Sequence, residues 1–188
     1  MNTQFFARDP DTVARDLLGR DLVHDTGIEL CGRIVETEAY RGPDDPASHA
    51  SGGRTDRNAP MFGEPGRAYI YISYGIHHML NVVTGGTGSP SAVLLRAVEP
   101  LEGVERMQAN RGVDARAELC SGPGKLCEAF GITKEHNKVD LTAGHLRIEE
   151  GEQVPPERTV EDTRIGVSGG EDLKLRFFVG DSRFVSRC

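Results

Sequence analysis

The sequence predicts a single α+β domain over residues 1–188, with a largely antiparallel β-sheet and flanking helices. A chain of 188 residues fits one domain, since single domains mostly hold about 100–150 residues. Hydrophobic residues make up 37% and charged residues 27% of the chain, as in ordinary globular proteins with a buried core. The candidate strands are clustered, with few helices and no βαβ alternation, and this order favours α+β.

Capping residues predict three helices. Asp9 and Pro10 have the residue types that start a helix, and Gly19 has the type that ends one. Pro100 and Pro123 mark two further helix starts by the same reasoning. The predicted helices cover residues 9–19, 100–110 and 121–130.

Runs of β-branched and aromatic residues predict the strands. Strands 21–23 and 28–31 form a hairpin around Thr26-Gly27, and further strands lie at 33–40, 69–72, 80–84, 92–98 and 175–179. The uncharged stretch from Ala68 to Leu95 is interrupted by polar residues and a Gly-rich turn, so we interpret it as buried strands and not as a membrane span. Residues 41–66, rich in Gly, Pro, Asp, Ser and Arg between two strands, form a long irregular loop, and we favour a functional role for it.

Charge and cysteine content indicate which binding partners and which cellular compartment to expect. The net charge of −7 argues against a nucleic-acid partner. However, residues 135–162 hold eight acidic and three basic residues, so the rest of the chain carries only −2 and can present a local basic face. The first ten residues lack the pattern of a secretory signal, and we expect a cytoplasmic monomer without membrane contact, nucleoid-associated if it is prokaryotic. The cysteines show no CxxC pair and are expected to be free thiols: Cys31, Cys120, Cys127 and Cys188.

Aromatic residues are concentrated in one part of the chain. All four tyrosines, Tyr40, Tyr69, Tyr71 and Tyr74, fall in one window that also holds His49, and the chain has no tryptophan. One interpretation is a Tyr-rich core strand with hydroxyl groups at its rim. The other is a pocket in which aromatic faces hold a flat, cationic ring.

Two carboxylates stand in the same window. At a period of two residues, Ile34, Glu36, Glu38 and Tyr40 share one face of a strand. Two like charges on one face repel each other, so either an oppositely charged side chain pairs with them or they serve a function. Either Arg33, Arg54 or Arg57 pairs with Glu36 and Glu38, or one of the two carboxylates is a general base that takes a proton from water.

Other chemistries have weaker support. His49, His77 and His78 with the two glutamates form no metal-binding motif, and we expect neither a metal nor a cofactor. No nucleophile elbow or phosphate loop is present. Residues 120–125 offer backbone N–H groups at a helix start, so Lys125 is either a contact to a DNA phosphate or a solvated side chain.

Six segments, in the same order over almost the whole chain, resemble the alkyladenine DNA glycosylase family, also called eukaryotic-type 3-methyladenine DNA glycosylases. They are Arg33-Ile-Val-Glu-Thr-Glu-Ala-Tyr40 with Gly42-Pro43 and His49; Gly53-Arg54-Thr55 with Arg57-Asn58 and Met61-Phe62; Tyr69-Ile-Tyr71-Ile-Ser-Tyr74-Gly75 through Asn81; Val93-Leu-Leu-Arg96-Ala97 with Glu99-Pro100-Leu101-Glu102-Gly103; Leu119-Cys-Ser-Gly-Pro123 with Lys125-Leu126; and Arg164-Ile165-Gly166 with Arg176-Phe177 and Val185-Ser186-Arg187. The resemblance implies a curved antiparallel sheet and a monofunctional enzyme of base excision repair. Such an enzyme flips alkylated or deaminated purines out of double-stranded DNA and hydrolyses the N-glycosidic bond with water.

The resemblance also implies roles for the reacting residues. Glu38 would be the general base that activates water, and Arg96 would hold this carboxylate and the water in place. Tyr74 would be a wedge that fills the space the flipped base leaves.

The same resemblance implies a base pocket. Tyr40, His49 and Tyr71 would be its walls, with His49 and Tyr71 on opposite sides of the flipped ring. Asn81 would lie lower in the pocket and screen exocyclic groups.

The sequence departs from the family pattern at a few positions. Asp56 stands where proline is usual, His77 stands where a bulkier aromatic residue can occur, and tryptophan is absent from the carboxy-terminal segment. These differences bear on the range of lesions more than on the reaction. The alternatives are a non-catalytic nucleic-acid-binding module, including an RNA-directed one, and a purine nucleoside hydrolase. Tyr74 followed by Gly75 argues against the hydrolase, since a nucleoside needs no wedge.

Overall fold

The computed structural model describes residues 1–186, so Arg187 and Cys188 lie outside the described residues. The helices are α1 (Thr3–Phe6), α2 (Pro10–Asp16), α3 (Val104–Arg111) and α4 (Pro123–Phe130). The strands are β1 (Asp21–Asp25), β2 (Glu29–Tyr40), β3 (Ala68–Ser73), β4 (His77–Thr84), β5 (Ser91–Glu102), β6 (Leu146–Glu149), β7 (Thr159–Asp162) and β8 (Arg176–Val179). Short 3₁₀ helices lie at Ala59–Phe62, Arg116–Glu118, Lys134–His136 and Pro156–Arg158.

The eight strands form one sheet in which every described pair is antiparallel. The main order is β3-β4-β5-β2-β1-β6. Strand β8 pairs with the second half of β2 on one side and with β7 on the other. The sheet curves into a half-barrel, and the predicted α+β class with a curved antiparallel sheet is confirmed. None of the helices in residues 1–186 has the length and apolar character that a membrane crossing requires.

The main hydrophobic core lies between the sheet and its helices. Helix α2 packs on β2, where the Thr37 hydroxyl donates to the Ala14 carbonyl oxygen at 2.8 Å. A second, smaller core of Ala50, Met61, Tyr69, Val83 and Ala92 lies under the 41–66 loop. This small core supports the candidate site described below.

Several elements differ from their predicted bounds. The helix predicted from Pro100 begins at Val104, because Pro100 and Glu102 still pair with β2 as the end of β5. Gly103, with φ +71°, then turns the chain out of the strand. Helix α1 and strands β6 and β7 were not predicted, since each has only four residues and shows no clear periodicity.

Register irregularities between β2 and β5 lie beside Glu36. Val35 on β2 and Arg96 on β5 have no partner in the register, because Glu36 pairs with Ala97 and Thr37 with Leu95. Bulges of this kind redirect side chains. The predicted shared face is therefore wrong for Ile34, which lies in the main core, while Glu36 and Glu38 both contact Arg96.

Candidate active site

Two buried glutamates and one arginine form the polar centre of the molecule. The Arg96 Nε atom lies 3.2 Å from Glu36 Oε1, and its Nη1 atom lies 3.1 Å from Glu38 Oε1. Both glutamate side chains have no solvent exposure. Burial opposes the charge on Arg96, but the carboxylates of Glu38 and Glu36 outweigh this effect and raise the pKa of the guanidinium. Arg96 therefore stays charged between the two carboxylates.

Glu36 is fully engaged in structural bonds. Its carboxylate accepts from the guanidinium groups of Arg96 and Arg176 at 3.2 and 2.7 Å, and from the Ser186 hydroxyl and backbone N–H at 2.8 and 2.6 Å. A carboxylate offers about four acceptor positions. Glu36 thus ties the carboxy-terminal segment to β2 through four hydrogen bonds, three at Oε1 and one at Oε2.

Glu38 accepts fewer hydrogen bonds within residues 1–186. Its Oε1 accepts from the Ile165 backbone N–H at 2.8 Å and from Arg96, and its Oε2 accepts from the Tyr40 hydroxyl at 2.9 Å, so one of about four acceptor positions has no partner among these residues. Burial and the Glu38 charge raise the pKa of Tyr40, so its phenol remains a donor. The predicted pairing with Arg33, Arg54 or Arg57 is wrong: Arg33 binds Asp21 and Glu152, and the other two lie over aromatic rings.

Tyr40, whose hydroxyl donates to Glu38, also lines a cavity of about 390 Å³, whereas Glu38 and Arg96 themselves are not among its lining residues. Its wall includes every residue predicted for a base pocket, and Arg57, Tyr69, Tyr74 and residues 166–168 also line it. The predicted pocket residues are Tyr40, His49, Tyr71 and Asn81. The geometry thus supports the interpretation of the tyrosine-rich window as a pocket. The alternative interpretation, a Tyr-rich core strand, holds only for Tyr69, which is 1% exposed.

His49 stands edge-on to Tyr71 within the cavity. The ring centroids are 4.5 Å apart at an interplanar angle of 79°, and His49 Nδ1 lies 2.8 Å from the Tyr69 hydroxyl. Desolvation and the charge of Arg57 lower the pKa of His49, which keeps the ring neutral. At this spacing no purine fits between His49 and Tyr71, so the predicted sandwich requires His49 to move aside.

Asn81 lies deep in the cavity wall on β4. Its Nδ2 atom donates to the backbone oxygens of Tyr69 and Met79 at 3.1 and 3.3 Å. This arrangement leaves Oδ1 as the atom that can face a ligand. Asn81 can therefore accept a hydrogen bond from a ring in the cavity, or oppose an exocyclic group that comes too close.

A buried ion pair holds the 41–66 loop against the segment that contains Ile165. Asp45 accepts from Arg164 Nη1 and Nη2 at 2.6 and 2.7 Å, and neither side chain is exposed. Arg164 Nη1 also donates to the Ala39 backbone oxygen at 3.0 Å, and its guanidinium lies 4.8 Å from the Tyr40 ring centroid. This pair positions both the Ile165 N–H that binds Glu38 and one wall of the cavity.

Asn58 fixes the part of the loop that carries His49. It donates to the backbone oxygens of His49 and Gly53 at 2.7 and 2.8 Å and accepts from the Thr55 N–H at 2.7 Å. Asp56, next to this network, is exposed. Its departure from the family pattern therefore changes a surface position.

The β3–β4 hairpin presents an aromatic side chain at the rim of the cavity. Tyr74 is 92% exposed and has φ +50°, and Gly75 follows with φ +76°, as in a type I′ turn. Ile76 beside it is 71% exposed. An exposed tyrosine in a left-handed conformation is unusual, and strained residues of this kind cluster at functional sites.

Two other predicted features lie next to the hairpin. Lys125, near the start of α4, pairs with Glu118 at 2.9 Å and lies 3.3 Å from the Ser121 hydroxyl, with 40% of its side chain exposed. His77 packs against Gly124, where an added Cβ would lie 3.1 Å from the imidazole. A contact of Lys125 with a DNA phosphate stays a prediction, and it would require exchange of the Glu118 partner.

Several residues that shape the site were not predicted as site residues: Asp45, Asn58, Arg164, Arg176 and Ser186. All but Asn58 act through a partner more than 100 residues away, which no local pattern reveals. Asn58 bonds residues 49–55 of its own loop. Arg176, between Leu175 and Phe177, is the one that its apolar sequence neighbours could have marked.

The fold and the site together define a DNA repair enzyme of the glycosylase class. A buried carboxylate with a free acceptor position beside an aromatic cavity suits hydrolysis of a glycosidic bond. The exposed side chain at the rim suits an enzyme that takes its base from a stacked duplex.

Comparisons with known proteins identify the family. The family model described as methylpurine-DNA glycosylase matches residues 4–183, so the chain belongs to that family. A protein of Methanoculleus marisnigri named "Putative 3-methyladenine DNA glycosylase" is 50% identical over 97% of this chain and 96% of its own length. Proteins with the same name from Salinibacter ruber and Carboxydothermus hydrogenoformans are 49% and 48% identical, over 97% and 98% of this chain and 94% and 97% of their own lengths.

Proposed function

We propose that this protein is a monofunctional DNA glycosylase that acts as a monomer on double-stranded DNA. It takes alkylated or deaminated purines out of the duplex and hydrolyses the N-glycosidic bond with water activated by Glu38. The observation that carries the proposal is that Glu38, which keeps one acceptor position without a partner among residues 1–186, is bonded to Tyr40 in the wall of the aromatic cavity. We further propose that it works in the cytoplasm, at the nucleoid in a prokaryote.

The cavity suits a flat, positively charged ring. N-alkylation makes a purine cationic, and tyrosine faces attract a cation by about 0.5–2 kcal/mol. A neutral His49 adds no repulsion to this attraction. When the lesion enters, His49 swings off Tyr71, and the purine takes the exposed face of the tyrosine.

The chemical step needs one proton acceptor. Water donates its proton to Glu38 as its oxygen bonds to C1′ of the deoxyribose, and the electron pair of the C1′–N bond leaves with the purine. A cationic alkylated purine leaves as a neutral base and needs no proton, whereas a neutral deaminated purine leaves as an anion and takes a proton from water. Because Glu38 has no contact with bulk solvent, this water enters from the cavity beside Tyr40.

The negative charge of Glu38 has a second use. The sugar gains oxocarbenium character as the base departs, and a nearby carboxylate stabilises it. Arg96 and the Ile165 N–H fix the carboxylate on its other side. None of the described residues that line the cavity is a lysine, so we expect an abasic site as the product, without strand cleavage.

Tyr74 makes duplex DNA the favoured substrate. Flipping a base costs a few kcal/mol of stacking and pairing, less for a damaged base. A side chain inserted into the vacated space offsets part of that cost. A nucleoside hydrolase would gain nothing from a strained, exposed tyrosine at the rim.

Base release from an alkylated duplex, compared with release from the same methylated purine as a free nucleoside, tests the proposal. We expect release from the duplex and at most a trace from the nucleoside, with an unmodified duplex as the control. Comparable release from the nucleoside would support the hydrolase. Binding of the duplex without any release would support the non-catalytic module.

A further inference from the structure

Three histidines converge at a part of the fold that the glycosylase reaction does not use. His24 lies on β1, His136 ends the 3₁₀ helix Lys134–His136, and His145 precedes β6. One ring nitrogen from each lies within 4.8 Å of the other two. Ring centroids of His24 and His136 are 4.9 Å apart, and those of His24 and His145 are 6.1 Å apart. We propose that His24, His136 and His145 bind one divalent transition-metal ion, with zinc as the expected ion.

The spacing needs only a small contraction to suit zinc. Zinc binds imidazole nitrogen at 2.0–2.1 Å in tetrahedral geometry, which places two ligand nitrogens about 3.3 Å apart. His24 is only 3% exposed, whereas His145 is exposed on a loop and can rotate. The buried ring therefore serves as the fixed ligand, and His145 closes on the ion. A fourth position stays open to water.

The surroundings prepare His24 for this role. Its Nδ1 atom lies 2.8 Å from the Phe130 backbone oxygen, so this nitrogen carries the proton and Nε2 keeps its lone pair for a metal.

His136 must exchange one hydrogen bond. Its Nδ1 atom accepts from the Thr133 backbone N–H at 3.1 Å, so in the neutral ring the proton lies on Nε2. Metal binding at Nε2 shifts that proton to Nδ1 and releases the Thr133 N–H to solvent. The 3₁₀ helix is short and half exposed, so water can take over this single bond.

One neighbouring charge also favours a cation, because Asp25 places a negative charge beside His24. A metal there would join β1, the segment after α4 and the chain before β6.

Titration of the purified protein with zinc chloride against a competing chelator tests the proposal. We expect one tightly bound zinc per chain. His145→Ala and His136→Ala should each weaken binding by more than the roughly 10–100-fold that the loss of an outer-shell partner costs. His78→Ala, which removes a histidine of β4 outside the cluster, should leave the affinity unchanged.

Two further measurements separate a built site from adventitious binding. Cobalt(II) in place of zinc should give the visible absorption of a tetrahedral site in the wild type and lose it in His145→Ala. Zinc should raise the melting temperature of the wild type and not that of His145→Ala. Absence of stoichiometric binding, wild-type affinity in both alanine variants, or loss of binding in His49→Ala instead would overturn the proposal.

Discussion

Replacement of Asp45 by asparagine should destabilise the protein strongly, although Asp45 touches no substrate. Asp45 and Arg164 are both fully buried and joined by two hydrogen bonds of 2.6 and 2.7 Å. An asparagine keeps one acceptor but turns an N–H group toward the guanidinium. Removal of one partner of a buried ion pair costs about 3–5 kcal/mol, because it leaves the other charge uncompensated.

Thermal denaturation measures this loss. In a chain of this size 1 kcal/mol shifts the melting temperature by about 2–4 °C, so we expect a decrease of roughly 6–20 °C. The exposed neighbour Asp44 provides the matched control, and Asp44→Asn should change stability by less than about 0.5 kcal/mol. Equal melting temperatures for Asp45→Asn and Asp44→Asn would refute the reasoning.

The effect should also depend on pH in a defined direction. Burial of Asp45 opposes its ionisation, but hydrogen bonds from Arg164 and from the Arg41 backbone outweigh this and lower its pKa. The stabilisation is therefore complete above the unfolded pKa of about 3.9 and is lost as the pH falls through the folded value. The difference between wild type and Asp45→Asn should shrink below about pH 4, and a constant difference down to the acid transition would contradict this assignment.

Three further predictions concern the DNA contacts and the ion requirement. Tyr74→Ala should slow single-turnover base release from a paired lesion much more than from an unpaired one. The melting temperature should not change, because Tyr74 is 92% exposed. Tyr74→Phe is the control, and equal losses of rate on both substrates would contradict the role of a wedge. Affinity for duplex DNA should fall steeply with salt despite the net charge of −7, with a slope of about −0.9 per neutralised phosphate. Lys125→Gln should reduce that slope by about one, and an unchanged slope would remove Lys125 from the interface. Prolonged EDTA treatment should leave base release intact, because the histidine cluster lies far from Glu38. His24 on β1 pairs with Leu30 on β2, roughly 25 Å along the strand from Glu38. Restoration of a lost activity by zinc or magnesium would contradict this prediction.

The fold class was predicted from local pattern, whereas the individual pocket residues were implied by the family resemblance. Alternation along 33–40 placed Glu36 and Glu38 together, and the strand-to-turn position of Tyr74 followed from Gly75. Those features require only neighbours in the chain. The hairpin tip and the tyrosine-rich wall therefore appear in the structure where the pattern predicts them.

What the sequence did not predict comes from long-range contacts and from register. Arg96 and Arg176 reach Glu36 from 60 and 140 residues away, and no local spacing reveals such partners. The bulges beside Glu36 exclude Ile34 from the shared face, since one extra residue shifts the alternation. The pairing of β1 with β6 brings His24 close to His145, and the 3₁₀ helix Lys134–His136 adds His136 to the cluster.

The difference between the two buried glutamates offers the most direct test of the account. Glu38→Gln fills the same space and can still accept from the Ile165 N–H, but it cannot take a proton. We expect single-turnover base release, measured well below the unfolding temperature, to fall by roughly 10²–10⁴-fold while lesion affinity changes little. The melting temperature should also fall, because Glu38 is a buried partner of Arg96. Glu36→Gln, whose carboxylate holds two arginines and Ser186, should lower the melting temperature further. A near wild-type release rate in Glu38→Gln would contradict the account and leave the reaction without its base.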